Sequence, residues 1–482
     1  LSAAAGEMPE ELAVLPTSNR FRSAWEKTVA AADKYNEPGR YTALHGYEWT
    51  SMPGGDNLHR VVIYRNGADQ AKMMMPYTVV PPHGSDDPRD LWKWMATYEE
   101  KTGGQVLAIA HNGNLSNGQM FPKVESFNGK PVDAGYVRNR IKWEPLYEIT
   151  QIKGDGEAHP LLSPNDEFAD YETWDKSNIG DILKTPDMLQ FEYARNALGL
   201  GIQLEKTLGT NPYKFGFVGS TDSHTGLATA QEDNFFGKHS AAEPTPERVK
   251  HPVFEIGDLV LDSSIMTSSG LAAVWARENT REALFDAMAS KETYSTTGSR
   301  MLVRFFGGWD FTMVDAQNRM PASVGYGKGV PMGSDLSTGP AGKSPSFLVA
   351  AVRDPLSGNL DRIQIIKVWA DASGKPQEKV FNVVWSGDRN LGADGKLPLV
   401  GNTVDVAKAT WTNSIGSPEL ITVWTDPEFD PKVHASYYAR VLEIPTPRWT
   451  AYEAKRFKIK MKKDVPMVTV ERAYTSPIWY TP

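Results

Sequence analysis

Short apolar runs alternate with amphipathic helical segments through residues 21–298, and this alternation constrains the fold of the chain most strongly. The strand-like runs lie at 41–49, 57–65, 105–112, 144–157, 214–224, 271–276 and 292–298. The helical segments lie at 21–35, 90–102, 187–198 and 278–290. Because strands that alternate with helices favour crossover connections, the pattern predicts an α/β domain with a parallel sheet.

Local signals define the ends of these helices. A Ser/Asn region precedes residue 21 and predicts an N-cap for the first helix. Asn279 or Thr280 is expected to cap the helix at 278–290. A glycine-rich segment follows residue 198, and we expect it to form a turn that ends the helix at 187–198.

Polar side chains stand at the ends of the apolar runs. They are Glu48, His111, Gln151 and the pair Asp222/His224. In α/β barrels and open sheets, functional sites form at the carboxyl ends of strands, so these side chains are expected to meet at one edge. Residues two apart in extended backbone point the same way, so Asp222 and His224 can bind one metal centre.

The absence of cysteine restricts the chemistry of any metal site. Without thiolates, a metal ion must be bound by His, Asp or Glu, a mixture that suits Zn, Mn or Fe. The predicted metal ligands are Glu48, His59, His111, Asp222 and His224, of which Asp222 and His111 are also assigned catalytic roles. The predicted contacts to substrate oxygens are Arg60, Asn112 and Lys153.

Several of these residues also have a structural interpretation. The Asp-Ser-His triplet and Asn112 are compatible with turns. Glu48 could be a buried carboxylate paired with Arg60 or Arg65, and Lys153 could form a surface salt bridge. The joint occurrence of the ligand types in order along the chain favours the functional interpretation.

The sequence changes character after about residue 310. Apolar runs separated by Gly, Asp and Pro turns predict a β-sandwich-like domain at 345–450. Residues 311–344 are rich in Gly, Ser and Pro and are expected to form a linker or long loop. Residues 1–310 would then form the α/β domain, and the C-terminal segment 451–482 would pack back on it.

Composition excludes some classes of protein. The net charge of −8 argues against a general nucleic-acid binder, which needs a basic footprint. No stretch approaches the ~18 uninterrupted apolar residues of a membrane span. The first residues lack the basic and apolar regions of a signal peptide. We expect a periplasmic or secreted protein and leave a cytoplasmic location and a homo-oligomer open.

Several motifs along the chain resemble one known family. They include GYEWT, NLHR, AHNGNLSNGQMF, EPLYEITQIKGDGE, SPNDEFADYE, KFGFVGSTDSHTG, NFFGKH, VWARENTREALFDAMASKETYSTTG and RAYTSPIWYT. On these stretches, from about residue 40 to the C-terminal residue, the chain resembles the bacterial domain-of-unknown-function 3604 family. That family is similar to the PHP (polymerase and histidinol phosphatase) superfamily of metal-dependent phosphoesterases.

The resemblance implies a fold and an activity. The superfamily fold is a distorted (β/α)7 barrel with a metal cluster at the C-terminal ends of its strands. Its Glu and His motifs match Glu48, His59 and His111, and its final Asp-x-His motif matches Asp222 and His224. The implied cofactors are two or three divalent ions (Zn, Mn or Fe). The implied activity is hydrolysis of a small-molecule phosphate ester by a metal-bridging hydroxide.

Two alternatives stay open beside this implied phosphoesterase. One is a metal-dependent hydrolase of carboxylic ester, sulfate or amide bonds. The other is a non-catalytic metal-binding or glycan-binding protein, which a cluster of surface-exposed tryptophans would favour.

One departure from the superfamily affects the ligand set. The superfamily begins with a His-x-His strand and a second Asp/His motif, whereas the first histidine here is His45. We expect that an N-terminal segment with both motifs is missing from this chain, because a barrel without its first strands would expose apolar sheet edges.

Overall fold

The computed structural model describes residues 16–180, 182–257, 259–268 and 270–482. The interpretation of the first residues as lacking a signal peptide, and the start of the domain predicted at 1–310, therefore fall on residues 1–15, outside the described residues. The helices are α1 (Asn19–Tyr35), α2 (Ala68–Ala71), α3 (Pro88–Thr102), α4 (Ala134–Trp143), α5 (Ala194–Leu208), α6 (Arg281–Ala289), α7 (Met313–Ala316), α8 (Pro321–Lys328) and α9 (Trp449–Phe457).

The strands fall into three larger sheets and two small two-stranded sheets. Those of the first half are β1 (His45–Trp49), β2 (Arg60–Tyr64), β3 (Val106–Ala110), β4 (Leu146–Gln151), β5 (Gly154–Asp155), β6 (Gly216–Gly219), β7 (Pro252–Ile256), β8 (Leu259–Asp262), β9 (Leu271–Val274) and β10 (Thr293–Thr296). Those of the second half are β11 (Leu302–Gly308), β12 (Gly329–Pro331), β13 (Asp335–Leu336), β14 (Ser346–Val352), β15 (Leu360–Ala370), β16 (Pro376–Trp385), β17 (Glu419–Thr425), β18 (Ala435–Glu443), β19 (Thr446–Pro447), β20 (Val468–Thr469), β21 (Arg472–Thr475) and β22 (Ile478–Tyr480).

The first sheet is mixed rather than wholly parallel. Its strands follow the order β1-β2-β3-β4, with β6 on the other side of β4 and short β5 paired to the end of β4. Strands β3, β4 and β6 are parallel, as the alternation with helices predicts, whereas β1, β2 and β3 are antiparallel. The described strands do not close into a barrel, so the (β/α)7 barrel stays a prediction.

The mixed pairing still brings the polar strand ends to one edge. Because β2 runs against both β1 and β3, the start of β2 lies beside the ends of β1 and β3. The ends of β4 and β6 lie at the same edge because these strands are parallel to β3. This edge of the sheet is where the predicted ligands meet.

Helix α1 confirms the N-cap signal read from the sequence. Ser18 is its N-cap, and its side chain accepts a hydrogen bond from Phe21 N at 3.2 Å. Trp25 and Val29 are buried in a cluster with the aromatic side chains of β1, β2 and α3. Thr280 likewise caps α6, as one of the two predicted residues.

Helix α5 corrects the prediction of a helix at 187–198 followed by a glycine-rich turn. The helix begins at Ala194 and ends only at Leu208, where Gly209 adopts a left-handed conformation. Gly199 and Gly201 lie inside the helix because they allow close packing. A Cβ on Gly199 would lie 2.8 Å from Pro376 Cβ, and one on Gly201 would lie 2.1 Å from Asn211 Oδ1.

The second half of the chain consists of two sheets that share a core. The eight-stranded sheet contains β9, β10, β13, β15, β16, β18, β21 and β22, and the four-stranded sheet contains β11, β12, β14 and β17. Phe305 and Phe347 of the smaller sheet pack with Tyr437 of the larger one in a single buried cluster. Strand β10 from the first half and β21 from the C-terminal segment pair in the larger sheet, so the sheet crosses the predicted boundary at residue 310.

The segment 311–344 is not the predicted linker or loop. It forms α7, α8, β12 and β13. Pro321 stands at the first helical positions of α8, where its missing N–H costs nothing. Three glycines in this segment, Gly325, Gly329 and Gly339, face aromatic rings: a Cβ on Gly325 would lie 2.3 Å from Phe306. Pro321 and these three glycines therefore reflect helix initiation and close packing.

A buried network of charged groups joins the two halves. Arg195 of α5 and Arg440 of β18 both bind the carboxylate of Asp166, at 2.7 Å each. Both guanidinium groups also contact Glu157. Burial alone would raise the pKa of Asp166, but the two guanidinium groups hold it well below its usual range. In the part of the chain that the structure describes, no helix is long and apolar enough to cross a membrane.

This network predicts a large effect on stability. Arg440→Met should lower the free energy of unfolding by about 3–5 kcal/mol, because it leaves buried carboxylates without one of their counter-charges. Denaturant unfolding measures this change. Lys408→Met, which removes an exposed ion pair with Asp405, is the control and should have little effect. Equal stabilities of the two variants would contradict the proposed importance of the network.

Candidate metal centre

Strand register places the predicted ligands on one face of the first sheet. A row of directly paired residues crosses four strands: Glu48, Val61, Ile109 and Leu146. Directly paired residues share a face, and so do residues two apart on a strand. His59, His111 and Glu148 therefore project on the same side of the sheet as Glu48. Each lies two residues beyond this row, nearer the edge of the sheet.

Glu48 is the centre of the first group of candidate ligands. Its Oε1 lies 2.9 Å from His59 Nδ1 and 3.0 Å from His111 Nε2. The two imidazole rings meet edge to face, with centroids 5.5 Å apart. His59 and His111 are buried, whereas the side chain of Glu48 is 27% exposed and therefore faces solvent in part.

The imidazoles control the charge of Glu48. Burial alone would raise the pKa of Glu48, but the contacts with His111 and His59 outweigh burial and hold the pKa well below its usual range. Burial also lowers the pKa of His59 to about 4, against the opposing effect of Glu48. At neutral pH the group therefore consists of a carboxylate beside a neutral His59 imidazole, the forms in which both residues bind metal ions.

Glu48 also belongs to a second group of candidate ligands, with Asp222 and His224. In each group, one ligand atom from every member lies within 4.8 Å of the others. Asp222 follows β6 in a left-handed conformation, with φ of 46°. His224 Nε2 lies 3.5 Å from Asp222 Oδ1, and the side chain of His224 is 54% exposed. This second group therefore opens toward solvent.

Two lysines and one amide converge on Asp222. Its Oδ2 accepts hydrogen bonds from Lys238 Nζ at 2.7 Å and from Gln151 Nε2 at 2.8 Å, and it pairs with Lys153. Lys238 also donates to the backbone oxygen of Asp222 and lies 3.2 Å from His224 Nε2. Burial lowers the pKa of Lys238 to about 8, and burial together with the Lys238 charge holds the pKa of Lys153 well below its ordinary value.

The predicted substrate contacts have different outcomes. Lys153 reaches the centre through Asp222, and Asn112 reaches it through Gln151, whose Nε2 donates to Asn112 Oδ1 at 2.6 Å. Arg60 does not reach it. Its side chain points to the opposite face, where it is buried and pairs with Glu144 at 3.0 Å. Adjacent residues on a strand face opposite sides, so His59 and Arg60 could not both point into the site.

Two residues at the centre were missed by the sequence analysis. Lys238 lies in a loop well after β6, and no local pattern connects it to Asp222. Glu148 lies inside the apolar run of β4, all of whose residues are buried. A charged residue in the middle of such a run was the signal that could have identified Glu148.

The first group of ligands fits a divalent cation. A carboxylate oxygen and two imidazoles lie close together, and the buried Nε2 of His59 has no hydrogen-bond partner among the described residues. The second group of ligands is less well suited to a divalent cation, because Asp222 already pairs with Lys153 and Lys238. A cation bound there would share Asp222 with two ammonium groups.

Comparison with known proteins identifies the family. The family model described as "Protein of unknown function (DUF3604)" matches residues 2–482. The chain therefore belongs to this family, which confirms the resemblance seen in the sequence. No curated protein and no solved structure matches the chain. The similarity to the PHP superfamily stays a prediction.

The contacts of Asp222 predict an unusual pattern of stability in protein freed of metal by a chelator. Asp222→Asn should cost about 2–3 kcal/mol of stability, because it leaves Lys153 and Lys238 partly buried without a carboxylate. Adding Lys238→Met should recover part of this loss by removing one of the unpaired charges. Denaturant unfolding of the two variants measures both effects. A double variant less stable than Asp222→Asn alone would contradict this interpretation.

Proposed function

We propose that this member of the DUF3604 family is a metal-dependent hydrolase that acts on phosphate esters. The observation that carries the proposal is the contact of one Glu48 oxygen with both His59 and His111. This arrangement lies at the sheet edge where Asp222 and His224 also lie. Three carboxylate or imidazole side chains around a small space are the donors that Zn, Mn and Fe prefer.

The residues divide into two metal positions. Glu48, His59 and His111 would hold one divalent ion, and Glu48, Asp222 and His224 would hold a second. When bound, such ions lower the pKa of water and polarise a phosphoryl oxygen. The exposed side chain of His224 leaves this part of the centre open, so a small substrate could enter from solvent.

The two lysines favour an anionic substrate. Lys153 and Lys238 place two ammonium groups beside the metal ligands, both in contact with Asp222. Ammonium groups in a partly buried site bind phosphate and sulfate oxygens better than neutral ester or amide oxygens. Gln151 and Asn112 orient Asp222 through the hydrogen bonds between them.

The alternatives receive different support. A hydrolase of another anionic ester, such as a sulfate, would use the same residues. A glycan-binding role would be favoured by exposed tryptophans, but no tryptophan is among the exposed large hydrophobic side chains of the described residues. We therefore retain the hydrolase interpretation and test the class of ester.

Metal content tests the centre itself. The purified protein should contain two or more Mn, Zn or Fe ions per chain, and His59→Ala and Asp222→Ala should each contain fewer. Elemental analysis by mass spectrometry measures this content. His434→Ala, which removes a histidine paired with Glu205 outside the centre, is the control and should retain the metal of the wild type. Equal, near-zero metal in all four proteins would contradict the proposal.

A matched panel of substrates tests the chemistry. The metal-loaded protein should hydrolyse p-nitrophenyl phosphate faster than p-nitrophenyl sulfate or p-nitrophenyl acetate. Lys238→Met should reduce kcat/KM for the phosphate by about 10²-fold or more, because it removes a charge that stabilises anionic oxygens. Hydrolysis of the acetate should change little. Preference for the acetate, with no effect of Lys238→Met on the phosphate, would exclude a phosphoesterase.

A further inference from the structure

Glu148 is a buried carboxylate with few partners. It lies in the middle of β4, and only 5% of its surface is exposed. Ser220 donates a hydrogen bond to its Oε2. Its Oε1 is buried and has no hydrogen-bond partner in the described part of the chain. A buried carboxylate requires compensation by a counter-charge, a metal ion or a full set of hydrogen bonds.

The nearby lysines attract Glu148 only at longer range, without a direct ion pair to it. Lys238 directs its ammonium group to Asp222 and His224, and Lys153 pairs with Asp222. Within the described ranges, no Lys or Arg nitrogen forms an ion pair with Glu148. The protein contacts therefore leave one oxygen of a buried carboxylate without a hydrogen bond or a direct ion pair among the described residues.

The position of Glu148 in the sheet relates it to the metal centre. Leu146 pairs with Ile109, so the residues two steps further along, Glu148 and His111, are neighbours on the same face. On its other side Glu148 pairs with Val218, two residues before Ser220. Glu148 therefore lies between the strand that carries His111 and the strand that leads to Asp222.

We infer that Glu148 is an additional ligand of the metal centre and contributes its Oε1 to a divalent cation. The inference rests on the proposed function, which assigns metal ligation to Glu48, His59, His111, Asp222 and His224. Neither close group of candidate ligands includes Glu148, so the inference adds a residue to the site. A third carboxylate also shifts the donor set toward Mn²⁺, which accepts carboxylate ligands readily.

Titration of chelator-treated protein with Mn²⁺ tests this inference. Free Mn²⁺ is followed by electron paramagnetic resonance, which gives the number of bound ions and their affinity. Glu148→Gln should bind one ion fewer than the wild type, or bind it about tenfold or more weakly. Glu443→Gln, a matched change at a buried carboxylate held by Ser299 and Ser357 in β18, should bind as the wild type does.

The outcomes separate the inference from the proposed function. If the wild type and Glu148→Gln bind the same number of ions with the same affinity, the role of Glu148 is wrong and the metal centre stands. If the wild type binds no Mn²⁺, Zn²⁺ or Fe²⁺, the proposed function fails and the inference fails with it. Loss of an ion in both Glu148→Gln and Glu443→Gln would also overturn the specific role of Glu148.

Thermal unfolding distinguishes ligation from a purely structural role. Without metal, Glu148→Gln should unfold at the same temperature as the wild type or higher, because the amide removes a poorly compensated buried charge. With saturating Mn²⁺, the wild type should gain more in its unfolding temperature than Glu148→Gln does. A variant that is less stable by the same amount with and without Mn²⁺ would indicate a structural role and overturn the inference.

Discussion

The register of the four strands β1 to β4 is the constraint on which the candidate site depends. Directly paired residues place Glu48, Val61 and Ile109 in one row, and Glu48 forms the site together with the side chains two residues nearer the sheet edge. A shift of one residue on any strand would turn its ligand to the opposite face. The site therefore requires a rigid sheet, and the buried aromatic cluster around Trp25 and Trp92 holds the first strands in register.

The second half of the chain supports this sheet through charged and packed contacts. The eight-stranded sheet includes β10, which lies beside β6, and Thr293 donates a hydrogen bond to the backbone oxygen of Phe217. Arg440 and Arg195 connect β18 to α5 through Asp166. The β-rich half thus fixes the helix and strand that precede Asp222, so the two halves act as one support for the site.

The sequence predicted the grouping of the candidate ligands better than it predicted the fold. Polar residues at strand ends, together with His59 in the next strand, predicted that Glu48, His59, His111, Asp222 and His224 would lie close together, and the structure brings them to one edge. This was possible because strand ends and residue chemistry are both local properties. The antiparallel pairing of β2, the long helix α5 and the ordered segment 311–344 were not predicted, since they depend on contacts between distant residues. Arg60 was wrongly predicted to contact substrate because adjacent residues on a strand face opposite sides of the sheet. His59 points into the site, so Arg60 points away from it. Lys238 became recognisable only once its loop was placed beside Asp222, whereas Glu148 carried a sequence signal, a charge inside an apolar run, that was not used.

The central claim is that Glu48, His59 and His111 bind a divalent metal ion. Crystals grown with Mn²⁺ or Zn²⁺, measured above and below the absorption edge of the metal, locate such an ion directly. The account predicts an anomalous difference peak about 2.0–2.2 Å from the ligand atoms of these three residues. Crystals that contain the metal but show no peak at this edge of the sheet, or peaks only at surface histidines such as His251, would contradict it.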